Sequence, residues 1–196
     1  MRFSLDTEFI ENGETIKLVS IALVAEDGRE LYAQCPDAPF KAANDFVARN
    51  VFPHLDHFDM GKQARACTVE RAGEFPRSDS KCRDPKCPWL HPQSLRESLR
   101  KFCGDAPEFW TYYGAYDWVA LCQLFGDMSE LPKGWPFFAY DLRQALNVEG
   151  LHGVAQPDNA PHHALDDARW IARQYERYIG PSSLAQFDKT PAEAAS

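Results

Sequence analysis

Asp6 and Glu8 lie two residues apart in Phe3-Ser4-Leu5-Asp6-Thr7-Glu8-Phe9, a run that otherwise has the composition of a core β-strand. Side chains alternate along a strand, so Ser4, Asp6 and Glu8 share one face and Phe3, Leu5, Thr7 and Phe9 the other. Two carboxylates that close repel each other, the more so when buried, and a divalent cation between them removes the conflict. An edge strand with a wet acidic face is the plainer explanation of these residues alone. What favours the cation lies downstream. Asp117 stands where an aromatic strand, Glu108 to Tyr113, hands over to a helix, Tyr116 to Phe125. Taken alone, an Asp there is ordinarily a cap or a dipole partner. In the last helix, Ala164 to Ile179, steps of three and four from Asp167 reach Trp170, Ile171, Gln174 and Tyr178, whereas the same steps from Asp166 reach Arg169, Arg173 and Arg177. Asp167 is therefore expected on the packed face and Asp166 on the solvated one. His162 precedes Asp167 by five residues, in the loop before that helix. A neutral imidazole there can accept a proton from water, although a surface histidine between Pro161 and His163 is the default reading without the carboxylates. Asp6, Glu8, Asp117 and Asp167 offer hard oxygen ligands for Mg²⁺ or Mn²⁺, and with His162 they form the set that two-metal phosphodiester cleavage requires.

The elements that must position these residues are readable from turn signals and periodicity. Asn12-Gly13 and Asp27-Gly28 separate the first strand from Thr15 to Ala25 and from Glu30 to Gln34, which predicts a three-stranded antiparallel meander. Phe46, Val47, Val51 and Leu55 have helical spacing within Phe40 to Leu55. Gln93 to Phe102 is predicted as a helix with Leu95, Leu99 and Phe102 on its apolar side, and Trp118, Leu121, Cys122 and Phe125 form the stripe of the next one. A short strand at Phe137 to Tyr140, a short helix at Leu142 to Leu146 and a loop from Gly150 to Pro161 complete the order. Strands first, then alternating strands and helices, indicate an α/β layered architecture.

Residues 57–92 are polar, charged and punctuated by proline, which reads as a long surface excursion. Within it Cys67, Cys82, Cys87 and His91 leave gaps of fourteen, four and three residues, a spacing compatible with a structural Zn²⁺, and the Cys-x4-Cys-x3-His end resembles a CCCH zinc finger. Scattered thiols in a loop are the alternative. Cys103 and Cys122 read as core residues.

With 196 residues the chain suits one domain, expected at 1–180 with a disordered tail at 181–196. The hydrophobic fraction of 44% excludes a disordered protein. The longest apolar run, Leu18 to Ala25, is interrupted by Ser20 and is too short to span a bilayer, and no export signal leads the chain, so a cytoplasmic protein with reduced cysteines is expected. A formal net charge of −8 argues against broad electrostatic binding of duplex nucleic acid, but not against an enzyme that grips a strand end through cations.

In combination these motifs resemble the DEDDh 3′-5′ exonucleases, whose Asp-x-Glu, Asp and His-x4-Asp motifs correspond to Asp6-Thr7-Glu8, Asp117, and His162 with Asp167. Phe109-Trp110-Thr111-Tyr112-Tyr113-Gly114-Ala115-Tyr116-Asp117-Trp118, with Gly134-Trp135-Pro136 and His162 to Trp170, is similar to the polyadenylate-specific 3′-exoribonuclease branch, relatives of RNase T. The resemblance runs from Phe3 to about Tyr178 and is weakest across residues 57–92. It implies an RNase H-like fold, two bound Mg²⁺ or Mn²⁺ ions, His162 as general base, removal of nucleotides from the 3′ end of single-stranded RNA or of RNA overhangs, and a homodimer. Phe9, directly after Glu8, is the position it implies for substrate contact. Many relatives carry Thr-Gly after the Glu and His-Asn ahead of the second Asp, where this chain has Phe9-Ile10 and Tyr112-Tyr113. Three rival readings are a non-catalytic nucleic-acid-binding module of the same fold, a DNA-directed 3′-5′ exonuclease, and a metal-dependent phosphatase for small esters.

Overall fold

Gly13 and Gly28 adopt φ of +85° and +86°, a conformation that glycine reaches without steric cost, and they reverse the chain twice to build the first half of the sheet. The computed structural model describes residues 1–62, 64–65, 87–157 and 162–180. Strand β1 (Arg2–Glu11) pairs antiparallel with β2 (Ile16–Ala25), which pairs antiparallel with β3 (Glu30–Gln34). The predicted meander is thus present. On its other side β1 pairs in parallel with β6 (Glu108–Thr111), and β6 in parallel with β7 (Tyr140–Asp141), giving the order β3-β2-β1-β6-β7. Helices α2 (Pro92–Cys103), α3 (Ala115–Phe125), α4 (Leu142–Val148) and α5 (Ala164–Tyr178) flank this mixed sheet, the α/β RNase H-like architecture that the resemblance implies.

Alternation along the strands divides the packing into two layers. Phe3, Leu5, Ile21, Leu23 and Phe109 point to one side and meet Leu95 and Leu99 of α2 and Leu121 and Phe125 of α3. On the other side Ala22, Val24 and Tyr32 meet Ala164, Leu165 and Ala168 of α5, while Trp110 meets Leu142, Leu146, Trp170 and Ile171. Complete burial of a Leu, Ile or Phe stabilises by roughly 1.5–3 kcal/mol, so the first layer alone outweighs the surface ion pairs that clip α5 down. Those pairs still fix its orientation. Arg169 donates twice to Glu30 at 2.7 Å, and Arg2 pairs with Glu176 while its guanidinium lies 3.8 Å from the centre of the Tyr175 ring.

Phe40–Leu55 is broken where the spacing predicts one helix. Asn44 caps α1 (Asp45–Asn50) by accepting from the Val47 amide, and single 3-10 turns at Phe40–Ala42 and Phe52–His54 flank it. Pro53, inside the segment, lacks the amide hydrogen that a continuous helix needs. Phe46, assigned to the apolar stripe, is 55% exposed, while Val47, Val51 and Leu55 join Phe40, Phe52, Ile10, Val19 and Trp89 in a second core. Phe137 and Phe138 are likewise exposed and outside any strand; only Tyr140 and Asp141 pair with β6. The strand expected to reach Tyr113 stops at Thr111.

Of the excursion, Phe58–Asp59 (β4) pairs with Ala64–Arg65 (β5), and the Trp89 indole donates to the Asp56 carbonyl at 2.8 Å. Cys67 and Cys82 lie outside the described residues, as does the tail from residue 181. His91 Nε2 is 3.4 Å from an Asp37 carboxylate oxygen, and Cys87 packs against the second core. Burial pushes the thiols of Cys35 and Cys103 up to about 12 and that of Cys122 to about 11, so all three stay protonated core residues. Among the described residues no helix is long and apolar enough to cross a membrane.

Candidate active site

β1 brings Asp6 and Glu8 to the α5 side of the sheet, opposite Ala22 and Ser20 of β2. The pairing shifts register directly after Glu8, where Val19 is the extra residue on β2. Such bulges re-aim side chains, and here Ile10 and Val19 turn into the second core once the acidic pair has been placed. Helix α5 lies across the same face and carries Asp167 in its first turn, 8% exposed, whereas Asp166 is exposed and bonded to Arg169 at 3.1 Å. The helix phase read from the sequence is the phase observed.

Ligand atoms of Glu8, His162 and Asp167 lie within 4.8 Å of one another, with His162 the most exposed of the three. The two adjacent histidines diverge. His162 meets the Phe46 ring edge-on at 5.0 Å, whereas His163 packs on Tyr32 at 4.7 Å. The buried Nδ1 of His163 has no hydrogen-bond partner, and Asp166 at 3.7 Å is too far to be one. Burial holds the His163 pKa below its usual value, so this ring is a neutral packing element.

Asp117, 6% exposed, enters from the first turn of α3. Thr7, on the opposite face of β1 from Asp6 and Glu8, donates to Asp117 Oδ1 from both its backbone amide at 2.8 Å and its hydroxyl at 2.7 Å. The turn into α3 is tight. Tyr113 takes φ of +56°, and a Cβ at Gly114 would lie 1.9 Å from the Thr111 hydroxyl oxygen. Asp141 accepts from the Gly114 amide at 2.9 Å and caps α4 through the Gln144 amide at 3.0 Å, locking that turn to β7. The loop ahead of His162 is held by Arg143, which is 7% exposed and donates to the Val154 carbonyl at 2.6 Å and to Asn147. From the same loop the Gln156 amide donates to Asp167 Oδ1.

Sequence reasoning missed Thr7, Gln156, Asp141 and Arg143. Alternation assigns Thr7 only to the core face, and nothing local marks a contact with a residue 110 positions away. Phe9, half buried, meets Tyr116 edge-on at 5.6 Å, one residue before Asp117.

Electrostatically the cluster is self-opposed. Burial first, then the charges of Asp117, Glu8 and Asp167, raise the Asp6 pKa well above the carboxylate range. Burial together with Asp167 and Asp117 pushes Glu8 to about 8. Asp167 rises to about 7, chiefly through burial, against the pull of the Gln156 amide. Burial carries Asp117 to about 6 although both Thr7 bonds favour its charged form. Among the described residues no lysine or arginine contributes to these four shifts. An all-oxygen donor set that burial and mutual repulsion keep from ionising together fits divalent cations, which neutralise it outright.

The family described as the Rv2179c-like 3′-5′ exoribonuclease domain matches residues 1–179. The chain belongs to this family. The 3′-5′ exoribonuclease Rv2179c of Mycobacterium tuberculosis strain H37Rv is 38% identical over 175 residues, covering 89% of this chain and 91% of that protein, and the exoribonuclease MT2234.1 of strain CDC 1551 matches with the same values. Among solved structures, a moderately thermophilic exonuclease I from Methylocaldum szegediense is 13% identical with a TM-score of 0.49. That comparison covers 95% of this chain and 42% of the other, so the chain spans less than half the length of that structure.

Proposed function

We infer that the protein is a metal-dependent 3′-to-5′ exoribonuclease of the DEDDh type, with Asp6, Glu8, Asp117 and Asp167 as the metal-holding residues and His162 as general base. The observation that carries this reading is the convergence of four carboxylates and a histidine from β1, α3, and α5 with its preceding loop, with no basic side chain among the described residues acting on the four carboxyls. Membership of the exoribonuclease family supports the reaction. Bound Mg²⁺ or Mn²⁺ would supply the charge that acidifies water and stabilises the departing 3′ oxygen. The chain's own part is to hold the ligands rigidly and to move a proton. β1 fixes Asp6 and Glu8 in one register, Thr7 fixes Asp117, and Gln156 fixes Asp167. His162 stands at the open side, where a neutral ring takes a proton from water; its neighbour His163 is committed to the core. Exposed Phe46 beside His162 and exposed Tyr116 beside Phe9 border the same region with apolar surface.

The finer assignments follow the resemblance: a single-stranded RNA 3′ end, the polyadenylate-specific branch and a homodimer; a cytoplasmic location is proposed beside them. A single-stranded RNA labelled at its 3′ end tests the central reading. Release of labelled mononucleotide in Mn²⁺, abolished by EDTA, is the expected result. Label released from a DNA of the same sequence at equal rate would make the enzyme DNA-directed, and turnover confined to a generic phosphate ester would make it a phosphatase.

A further inference from the structure

The backbone at Tyr113 is not explained by the packing of its side chain. Its φ of +56° lies in the left-handed region, which is strained for residues other than glycine, asparagine and aspartate, yet 70% of the residue is exposed. Among the described residues its one ring neighbour is Tyr112, edge-on at 4.7 Å, with a hydrogen-bond interaction between the two side chains. The turn between Thr111 and Ala115 needs a left-handed residue, and position 114 is closed to anything but glycine by the Thr111 side chain. Position 113 has no comparable limit; asparagine or glycine would meet the backbone requirement with less strain. A tyrosine there weakens the fold without burying its ring, so the reason for it lies in what the ring faces.

Tyr113 leads into the helix that carries Asp117. It is four residues ahead of Asp117, and Tyr112, its neighbour, meets Trp170 edge-on at 4.8 Å, one helical turn beyond Asp167. We propose that Tyr113 is a substrate-binding residue whose exposed face stacks on a base near the 3′ end of the RNA. The proposal rests on the exoribonuclease reading above. Stacking suits this chain, because a formal net charge of −8 limits what attraction for phosphates contributes. Every base has a π face, so Tyr113 adds affinity without selecting sequence.

Tyr113→Asn removes the ring and leaves a residue that takes the left-handed conformation more readily. Expected are a Tm equal to the parent's or about 2–4 °C higher, and a KM for short single-stranded RNA raised roughly five- to hundredfold with kcat nearly unchanged. Tyr113→Phe should match the parent in both. A parental KM in Tyr113→Asn overturns the proposal. So does a lowered Tm accompanied by lost activity, which would make the ring a packing element. Sedimentation of both proteins covers a third outcome: a changed oligomeric state at parental KM assigns the ring to a contact between copies and also overturns it. Asp6→Asn checks the underlying reading separately, since parental cleavage by that variant sinks the metal-site assignment whatever Tyr113 does.

Discussion

Asp6→Asn should make the metal-free protein more stable at alkaline pH while abolishing its nuclease activity. Glu8, Asp167 and Asp117 have carboxyls raised to about 8, 7 and 6 from ordinary values of 4.5, 3.8 and 3.8, and the Asp6 carboxyl is raised well above 3.8. A raised value means that the native state binds protons more tightly than the unfolded chain does. The cluster's contribution to stability is therefore fully present below about pH 4 and is lost as pH rises through 6 to 8. Asparagine at position 6 removes one of the mutually repelling charges. Each tenfold change in a neighbour's proton affinity corresponds to about 1.4 kcal/mol. Relief of ten- to thirtyfold, about 1.4–2 kcal/mol, corresponds to roughly 3–8 °C in Tm for a domain of this size. Differential scanning calorimetry in EDTA at pH 8 and pH 5 measures it, and the gap should narrow at the lower pH, where protonation already relieves the parent. Mn²⁺ should then raise the Tm of the parent more than that of the variant. An Asp6→Asn protein that melts at or below the parent at pH 8 in EDTA would refute the electrostatic argument, and one that digests RNA at the parental rate would remove Asp6 from the site.

Asp167→Ala should abolish cleavage while Asp166→Ala costs less than about 0.5 kcal/mol of stability and leaves the rate intact; equal losses in a single-turnover assay would contradict the helix phase. Replacing His162 by Ala should slow turnover by roughly two to four orders of magnitude with Mn²⁺ affinity nearly unchanged, and His163→Ala should show up in thermal denaturation more than in kcat. Thr7→Val keeps the amide bond to Asp117 but deletes the hydroxyl one, a loss of about 1.5–3 kcal/mol for a hydrogen bond to a charged group. Its expected signature is a higher Mn²⁺ concentration for half-maximal activity, restored in Thr7→Ser, and an unshifted metal titration would count against the role.

What the sequence discloses and what it hides divide along the range of the interactions. The meander follows from Asn12-Gly13 and Asp27-Gly28, and the phase of α5 from the apolar Trp170 and Ile171 set against Arg169; both are settled within a few residues of chain. Phe40–Leu55 misleads because the i, i+4 pattern of Val47, Val51 and Leu55 is genuine, yet Asn44 and Pro53 cut the helix short and a separate core receives those residues. Phe137 and Phe138 have the composition of a strand, but only Tyr140 and Asp141 find a neighbouring edge. In the candidate site, the carboxylates are visible as residue types on a strand and a helix face. Their supports are not, because Thr7 to Asp117 and Gln156 to Asp167 are side-chain bonds made only after tertiary assembly.

The placement of α5 across β1 also has a bearing on when the chain can act. Asp6 and Glu8 are synthesised well before their candidate partners Asp117, His162 and Asp167, which lie more than 100 residues further along the chain. No shorter N-terminal fragment ending before Asp167 contains the full donor set, and β1 cannot present it until β6 and α5 have both docked on it. Contacts between residues so far apart in sequence close more slowly than local ones. An incomplete chain would then be harmless to the RNA around it, and competence to cut would coincide with completion of the fold.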